Sequence, residues 1–310
     1  MLHFKGEVRY WEGMKNLYLT LIFSTVLVSC SSTRPWPSVK RWGYQLQNYK
    51  NTTDLKRIED SGESLWVIDY SRDGSQKNSF NHLEINKLKK NKNTILSYIS
   101  IGEAEDYRYY FDKLPKEVLV KENKNWKGNF KIKYWDPSWK KILLGERGYF
   151  SRLTSAGFDG AYLDIVDGFH AFEDKRKAAD EMVELIHEIS EFTRERKKNF
   201  LLVMQNGADI LNYTSKSSKL FKAIDALAVE DYLFEKGSYG ENKWLYDLIK
   251  VYQKNEKPIL SIEYISDKKD LEKYASVAKE KGLLPLVGHR PLKGRLIFAD
   301  ELFHMANPCD

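Results

Sequence analysis

Cysteine is scarce in this chain. There are two among 310 residues, Cys30 and Cys309. No Cys-x-x-Cys or Cys/His spacing suits a structural metal, and the dispersed histidines form no HExxH motif. No P-loop, GxGxxG or HIGH signature is present, which removes the usual footing for nucleotide chemistry. Apolar runs are short. The longest, Leu17–Val28, falls below the roughly 20 residues that favour a membrane-spanning helix. After residue 40 no Pro- or Ser-rich linker divides the chain, so one large domain is expected. Charge of neither sign dominates: 50 Lys and Arg against 44 Asp and Glu leave a formal +6. The lysines are scattered, and the group Lys87, Lys89, Lys90 and Lys92 reads as a solvated face rather than a nucleic-acid surface.

The N-terminus indicates a compartment. Met14-Lys15-Asn16 precedes the apolar stretch, and Leu27-Val28-Ser29-Cys30 follows it. A basic start, an apolar core and small residues before a cleavage point are the parts of a secretory signal. The last four residues resemble a bacterial lipobox, which makes Cys30 the lipidated first residue of the mature chain and Met14 the better start. With Cys30 so used, Cys309 has no partner for an internal disulfide. The expected organisation is a leader over residues 1–30, a tether over 31–40 and a folded domain over 41–310. The expected location is that of an exported bacterial lipoprotein, anchored at the outer membrane or cell surface.

Eight short apolar runs carry the fold: Arg41–Tyr49, Ser64–Ser71, Asn93–Gly102, Gly160–Asp167, Asn199–Gly207, Ala226–Phe234, Pro258–Ile265 and Leu283–His289. Helix-like segments separate most of them. Alternating strands and helices predict parallel βα units, and eight such units predict a closed (β/α)8 TIM barrel. Polar residues stand where the apolar character stops: Asp69, Glu103, Asp164, Gln205, Glu230, Glu263 and His289. In a barrel of this kind the chemistry sits at those C-terminal ends.

Side chains alternate across a strand. Glu230 shares its phase with Ala226 and Ala228, small inward residues that predict room for a ligand above them; Asp164 shares its phase with Gly160 and Tyr162. Both acids can therefore point into the mouth. Two carboxyls in different protonation states are what glycosidic hydrolysis requires. Glu105, Asp106, Asp167 and Asp231 add negative charge, opposed only in part by Arg72, Arg108 and Arg290. Such a mouth favours a cationic ligand, an amino sugar for example. A hard cation held by the carboxylates and Gln205 is the rival reading, weakened by the lack of an Asp/Asn ligand loop.

Several motifs then form a pattern. Tyr98-Ile99-Ser100-Ile101-Gly102-Glu103, Tyr162-Leu163-Asp164, Gln205-Asn206-Gly207 and Val229-Glu230-Asp231 resemble glycoside hydrolase family 114. Trp42-Gly43-Tyr44-Gln45-Leu46 and Lys133-Tyr134-Trp135-Asp136-Pro137 are similar to the same family, over about residues 41–300. The resemblance implies a TIM barrel and a retaining, endo-acting hydrolase of galactosamine-containing polysaccharide. It matches Asp164 to the nucleophile and Glu230 to the acid/base. Gln45, Asp69, Tyr70, Glu103, Glu105, Gln205, Asn206, Glu263 and Tyr264 are expected around the sugar. No metal, cofactor or nucleic acid is expected, and the chain is expected to be a monomer. The alternatives are a hydrolase or transglycosylase for another surface polysaccharide, or a carbohydrate-binding lipoprotein without catalysis.

The leader supplies the first test. Replacing Cys30 by Ser is expected to abolish fatty-acid labelling and to move the protein out of the membrane fraction. Labelling that persists in Cys30→Ser would defeat the lipobox reading.

Overall fold

The computed structural model describes residues 36–49, 52–235, 238–240, 242–293 and 296–306. The leader, including Met14 and Cys30, lies outside these residues. Eight strands form one sheet in chain order: β1 (Arg41–Gln45), β2 (Ser64–Ile68), β3 (Thr94–Ser100), β4 (Gly160–Asp164), β5 (Leu201–Gln205), β6 (Ala226–Glu230), β7 (Ile259–Glu263) and β8 (Leu283–Val287). Every neighbouring pair is parallel. The sheet curls into a nearly closed (β/α)8 barrel. At the seam the indole Nε1 of Trp42 in β1 donates to the carbonyl of Leu284 in β8 at 3.0 Å.

The helices α1 (Thr52–Asp60), α2 (His82–Leu88), α3 (Pro137–Leu144), α4 (Tyr149–Ala156), α5 (Lys175–Arg196), α6 (Ser217–Ala223), α7 (Lys243–Lys254), α8 (Lys268–Lys281) and α9 (Ala299–Ala306) occupy the connections. Local chemistry starts many of them. Asn81, Asp136, Asp174, Asn242 and Asp267 each accept a backbone N–H of the first turn. Such caps satisfy donors that have no partner inside the helix. The longest helix, α5, buries Ala178, Ala179, Met182, Val183, Leu185, Ile186 and Ile189, the three-and-four spacing of one apolar face.

The apolar runs extend past the strands. Ala226–Phe234, for example, contains β6 and then Tyr232, Leu233 and Phe234, which are buried in the loop above it. The domain also starts earlier than residue 41, because Trp36 and Val39 pack against the core. One feature has no counterpart in the run pattern. Between β3 and α3 the chain forms a three-stranded antiparallel sheet, with Asn129–Ile132 between Glu103–Glu105 and Leu119–Glu122.

The space beneath the expected acids is filled. The rings of Trp42, Tyr44 and Tyr162 pack together, with Tyr44 and Tyr162 centroids 5.2 Å apart. All three residues are buried. Large rings from β1 and β4 thus fill the barrel axis in the layer below the acids.

Gly102, just past β3, approaches β4 too closely for a side chain. A Cβ there would lie 2.2 Å from the carbonyl oxygen of Ile165. Gly102→Ala is expected to destabilise the fold by about 1–3 kcal/mol, read from the midpoint of urea unfolding.

Candidate active site

The mouth is assembled from β3 to β7. Asp164 closes β4, and its Oδ2 accepts a hydrogen bond from the Tyr98 hydroxyl at 2.7 Å. Strand register makes this contact natural. Tyr98 pairs with Tyr162, and Ser100 pairs with Asp164, so the phenol starts one inward layer lower and reaches up. The other oxygen, Oδ1, accepts from the backbone N–H of Ile165 at 2.8 Å. Glu230 closes β6. Its Oε2 accepts from Nε2 of Gln205 at 2.9 Å, and its Oε1 accepts from the hydroxyl of Tyr264. Gln205 is itself held from below by the Tyr44 hydroxyl, which donates to Oε1 at 3.2 Å.

The backbone keeps these groups at the rim. Ile165, Asn206 and Asp231 directly follow Asp164, Gln205 and Glu230, and all three have left-handed φ values of 57°, 53° and 52°. A β-branched residue rarely adopts that conformation, which carries a steric cost of order 1 kcal/mol or more. The turn lets the chain leave its strand while still bonding to the next one. Asn206 N–H donates to the carbonyl of Ala228 at 2.8 Å, and Asp231 N–H to that of Ile262 at 3.2 Å. The side chain of Asn206 also accepts the N–H of Glu230 at 3.1 Å.

Burial governs the electrostatics. Desolvation pushes the Asp164 carboxyl up to about 7, against the hydrogen bonds from Tyr98 and Ile165; the charge of Glu230 raises it further. Desolvation also raises Glu230, opposed by the hydrogen bond from Tyr264 and by the charge of Arg290. Among the described residues neither acid forms an ion pair, so neutral donors surround both. Like charge and burial together leave the pair short of full ionisation near neutral pH.

Other acids of the mouth are neutralised. Arg108, buried, donates to Asp69 at 2.8 Å and to Glu105 at 2.7 Å, and the Tyr107 hydroxyl completes Glu105 at 2.7 Å. Arg290 grips both oxygens of Asp231 at 2.8 Å and lies over the ring of Tyr264, 4.5 Å from its centroid. Arg72 pairs with Glu84 on α2. The negative field is therefore narrower than a count of mouth residues implies. It is concentrated at Asp164, Glu230 and the exposed Asp167, on which the charges of Lys131 and His170 also act.

The expected site residues separate into groups. Gln205, Asn206 and Tyr264 contact Glu230. Asp69 and Glu105 belong to the Arg108 cluster, and the charge of Glu105 acts on Tyr98. Glu103 is buried on the antiparallel sheet and accepts from Asn123 at 2.9 Å. Tyr70 donates to the carbonyl of Ser75 and packs against Tyr109 and Tyr149. Two residues stand apart. Gln45 accepts from Arg57 on α1 at 2.8 Å, on the outer face of β1. Glu263 is fully buried and accepts the N–H of Leu233 at 2.8 Å. Register explains Glu263: Ile262, not Glu263, lies beside Glu230. Its strand-mate Ser261 bonds to Tyr274 of α8, on the helix side. Glu263 therefore anchors the loop after β6 instead of lining the sugar path. Tyr98, which bonds Asp164, and Tyr44, which bonds Gln205, were not among the expected site residues, although both stand in the quoted motifs. Their inward phase was the available signal.

Among the described residues no group of three or more His, Cys, Asp or Glu is placed to hold a metal ion. No described helix is long and apolar enough to cross a membrane.

An eight-stranded parallel barrel with two half-buried carboxyls, neither in an ion pair among the described residues, on alternate strand ends has the architecture of a glycoside hydrolase acting on carbohydrate. The sequence profile of glycoside hydrolase family GH114 matches residues 25–304, and the chain belongs to that family. It is 37% identical over 265 residues to an uncharacterized protein of Methanocaldococcus jannaschii, covering 79% of this chain and 74% of the relative. It is 32% identical over 304 residues to one from Thermotoga maritima, covering 90% and 91%. The fold is similar to the glycoside hydrolase domain of PelA from Pseudomonas aeruginosa, at TM-score 0.64 and 18% identity, covering 84% of this chain and 98% of that one. It is also similar to Aspergillus fumigatus Ega3 in complex with galactosamine, at TM-score 0.66 and 17% identity, covering 86% and 96%.

The raised Asp164 has a consequence for stability. The unfolded chain ionises near 3.8 and the folded chain near 7, so the unfolded state loses its proton first and stability falls as pH rises between those values. Asp164→Asn keeps the shape without the charge. It is expected to stabilise the fold at pH 7 by about 1–3 kcal/mol, with little gain at pH 4. Thermal melts of both proteins across this range provide the check.

Proposed function

We propose that this hydrolase is endo-acting and retaining, and that it cleaves galactosamine-containing polysaccharide with Asp164 as nucleophile and Glu230 as acid/base. The observation that carries the reading is the pair itself: two carboxyls at the ends of β4 and β6, electrostatically coupled, each held by neutral donors. The choice of sugar is supported by the fold shared with a protein bound to galactosamine and by the acids Asp164, Glu230 and Asp167 at the rim, none in an ion pair among the described residues. Retention and the division of roles are drawn from the family resemblance.

In this reading the Asp164 carboxylate attacks the anomeric carbon as Glu230 delivers its proton to the glycosidic oxygen. The carbon–oxygen bond breaks, and the sugar is left as an ester of Asp164. Water then enters. Glu230, now a carboxylate, takes one of its protons while the water oxygen attacks the anomeric carbon, which frees Asp164 and restores the acid. One proton must therefore remain on the pair. Asp164 must be ionised to attack and its carboxyl is raised to about 7, so kcat/KM is expected to rise with pH up to that region, while desolvation helps Glu230 keep its proton above the usual carboxylate range.

Asp164→Asn and Glu230→Gln are each expected to leave the fold intact and to reduce polymer cleavage by at least about a thousandfold. The assay is the appearance of new reducing ends from de-N-acetylated galactosamine polymer, with neutral glycans alongside. Azide is expected to restore turnover in part, with a product configuration that reports which role was removed. Near-normal cleavage in both variants would reject the pair. Preference for a neutral glycan would reject the sugar. We further propose that the domain acts outside the cytoplasm, tethered by lipid at Cys30; support for this comes from the sequence alone.

A further inference from the structure

We infer that Tyr44, which touches neither the proposed nucleophile nor the acid, decides which oxygen of Glu230 carries the catalytic proton. The inference rests on the reading of Glu230 as the acid and concerns how that acid is positioned.

Three hydrogen bonds in series carry the argument. Tyr44 Oη donates to Gln205 Oε1 at 3.2 Å; Gln205 Nε2 donates to Glu230 Oε2 at 2.9 Å; Tyr264 Oη bonds to Glu230 Oε1. A glutamine amide has two unlike ends: its oxygen only accepts and its nitrogen only donates. An isolated Gln205 could turn over and present either end to Glu230. Tyr44 prevents this. Its ring is buried between Trp42 and Tyr162, and the recorded acceptor for its hydroxyl is Gln205 Oε1. A turned amide would offer the phenol a second donor and leave the phenolic hydrogen buried without an acceptor, at a cost of about 1–3 kcal/mol.

With the NH2 group fixed toward Glu230, Oε2 faces a donor. A proton placed there would meet an N–H head-on. The proton must therefore sit on Oε1, beside Tyr264. A phenol can serve either state. It donates while Glu230 is ionised, and its oxygen accepts when Oε1 is protonated. Arg290, lying over the Tyr264 ring and paired with Asp231, holds that phenol in place. The glycosidic oxygen must reach Oε1 and not Oε2. Tyr44 is thus a positioning residue acting through Gln205.

Tyr44→Phe keeps the ring and removes only the hydroxyl. Gln205 is then free to turn its oxygen toward Glu230. The neutral acid gains an acceptor on Oε2 while the ionised acid can still keep its donor, so the pKa of Glu230 is expected to rise by at least about half a unit, a threefold change in proton affinity. The measurement is carboxyl 13C NMR on protein labelled at glutamate, with the Glu230 signal assigned from its loss in Glu230→Gln. An unchanged or lowered pKa would overturn the inference. This readout does not depend on turnover, so it is separate from any failure of the substrate proposal.

Kinetics provide a second arm. Polymer cleavage, which needs the proton, is expected to fall at least tenfold in Tyr44→Phe. An activated aryl galactosaminide, whose leaving group departs without one, is expected to lose less than twofold. Equal losses on both substrates with an unmoved alkaline limb would mean that Tyr44 serves packing alone. A third measurement needs no variant. The side-chain amide protons of Gln205 are expected to shift as Glu230 titrates. Amide protons indifferent to that titration would also overturn the inference.

Discussion

Two like-charged carboxyls share a half-buried rim with no cation among the described residues bonded to either, and much of the site is organised around that constraint. A buried carboxylate requires donors, and a direct guanidinium or ammonium contact would hold it ionised at all working pH values. Here the donors are phenols, one amide and one backbone N–H: Tyr98, Tyr264, Gln205 and Ile165. They orient the acids and leave burial in control of their protonation. The cations of the mouth are committed elsewhere, Arg108 to Asp69 and Glu105, and Arg290 to Asp231.

The same constraint accounts for the backbone. Acids at strand ends sit at the rim only if the chain turns away at once. Ile165, Asn206 and Asp231 make that turn in left-handed conformations, three times in succession. Unfavourable local geometry is retained because interstrand bonds on either side determine it, and because Gly102 leaves room for the Ile165 carbonyl. Below the rim the aromatic layer of Trp42, Tyr44 and Tyr162 closes the barrel axis. It gives the acids a low-dielectric floor, and through Tyr44 and Trp42 it is hydrogen-bonded to Gln205 and to the seam.

Much of this was legible before any coordinates. Eight apolar runs separated by helix-like segments were enough for the barrel, because parallel strands buried on both faces must read that way. Asp164 and Glu230 stood out because strand-end position and inward phase are both local properties. Gln205 and Asn206 stand in a quoted motif, Tyr264 follows the strand-end Glu263, and all three meet Glu230. Gln45 stands in a quoted motif and Glu263 at a strand end, yet both face the helices. Phase alone could have separated Glu263 from the mouth, since Ile262 and Leu260 are the inward members of β7. The antiparallel sheet after β3 was missed because its strands are short and largely polar or exposed.

By itself, then, the sequence determined the βα order, the two acids and their direction, because these depend on alternation and on neighbours within a few residues. The tertiary structure decided which cation neutralises which acid, what fills the space beneath Glu230, and which end of Gln205 meets it. Arg108 and Asp69 are 39 positions apart, and Tyr44 and Gln205 are 161 apart. Partnerships of that kind are set by the closing of the barrel. No local pattern encodes which of several competent donors will arrive within 3 Å of a given oxygen once the sheet has curled.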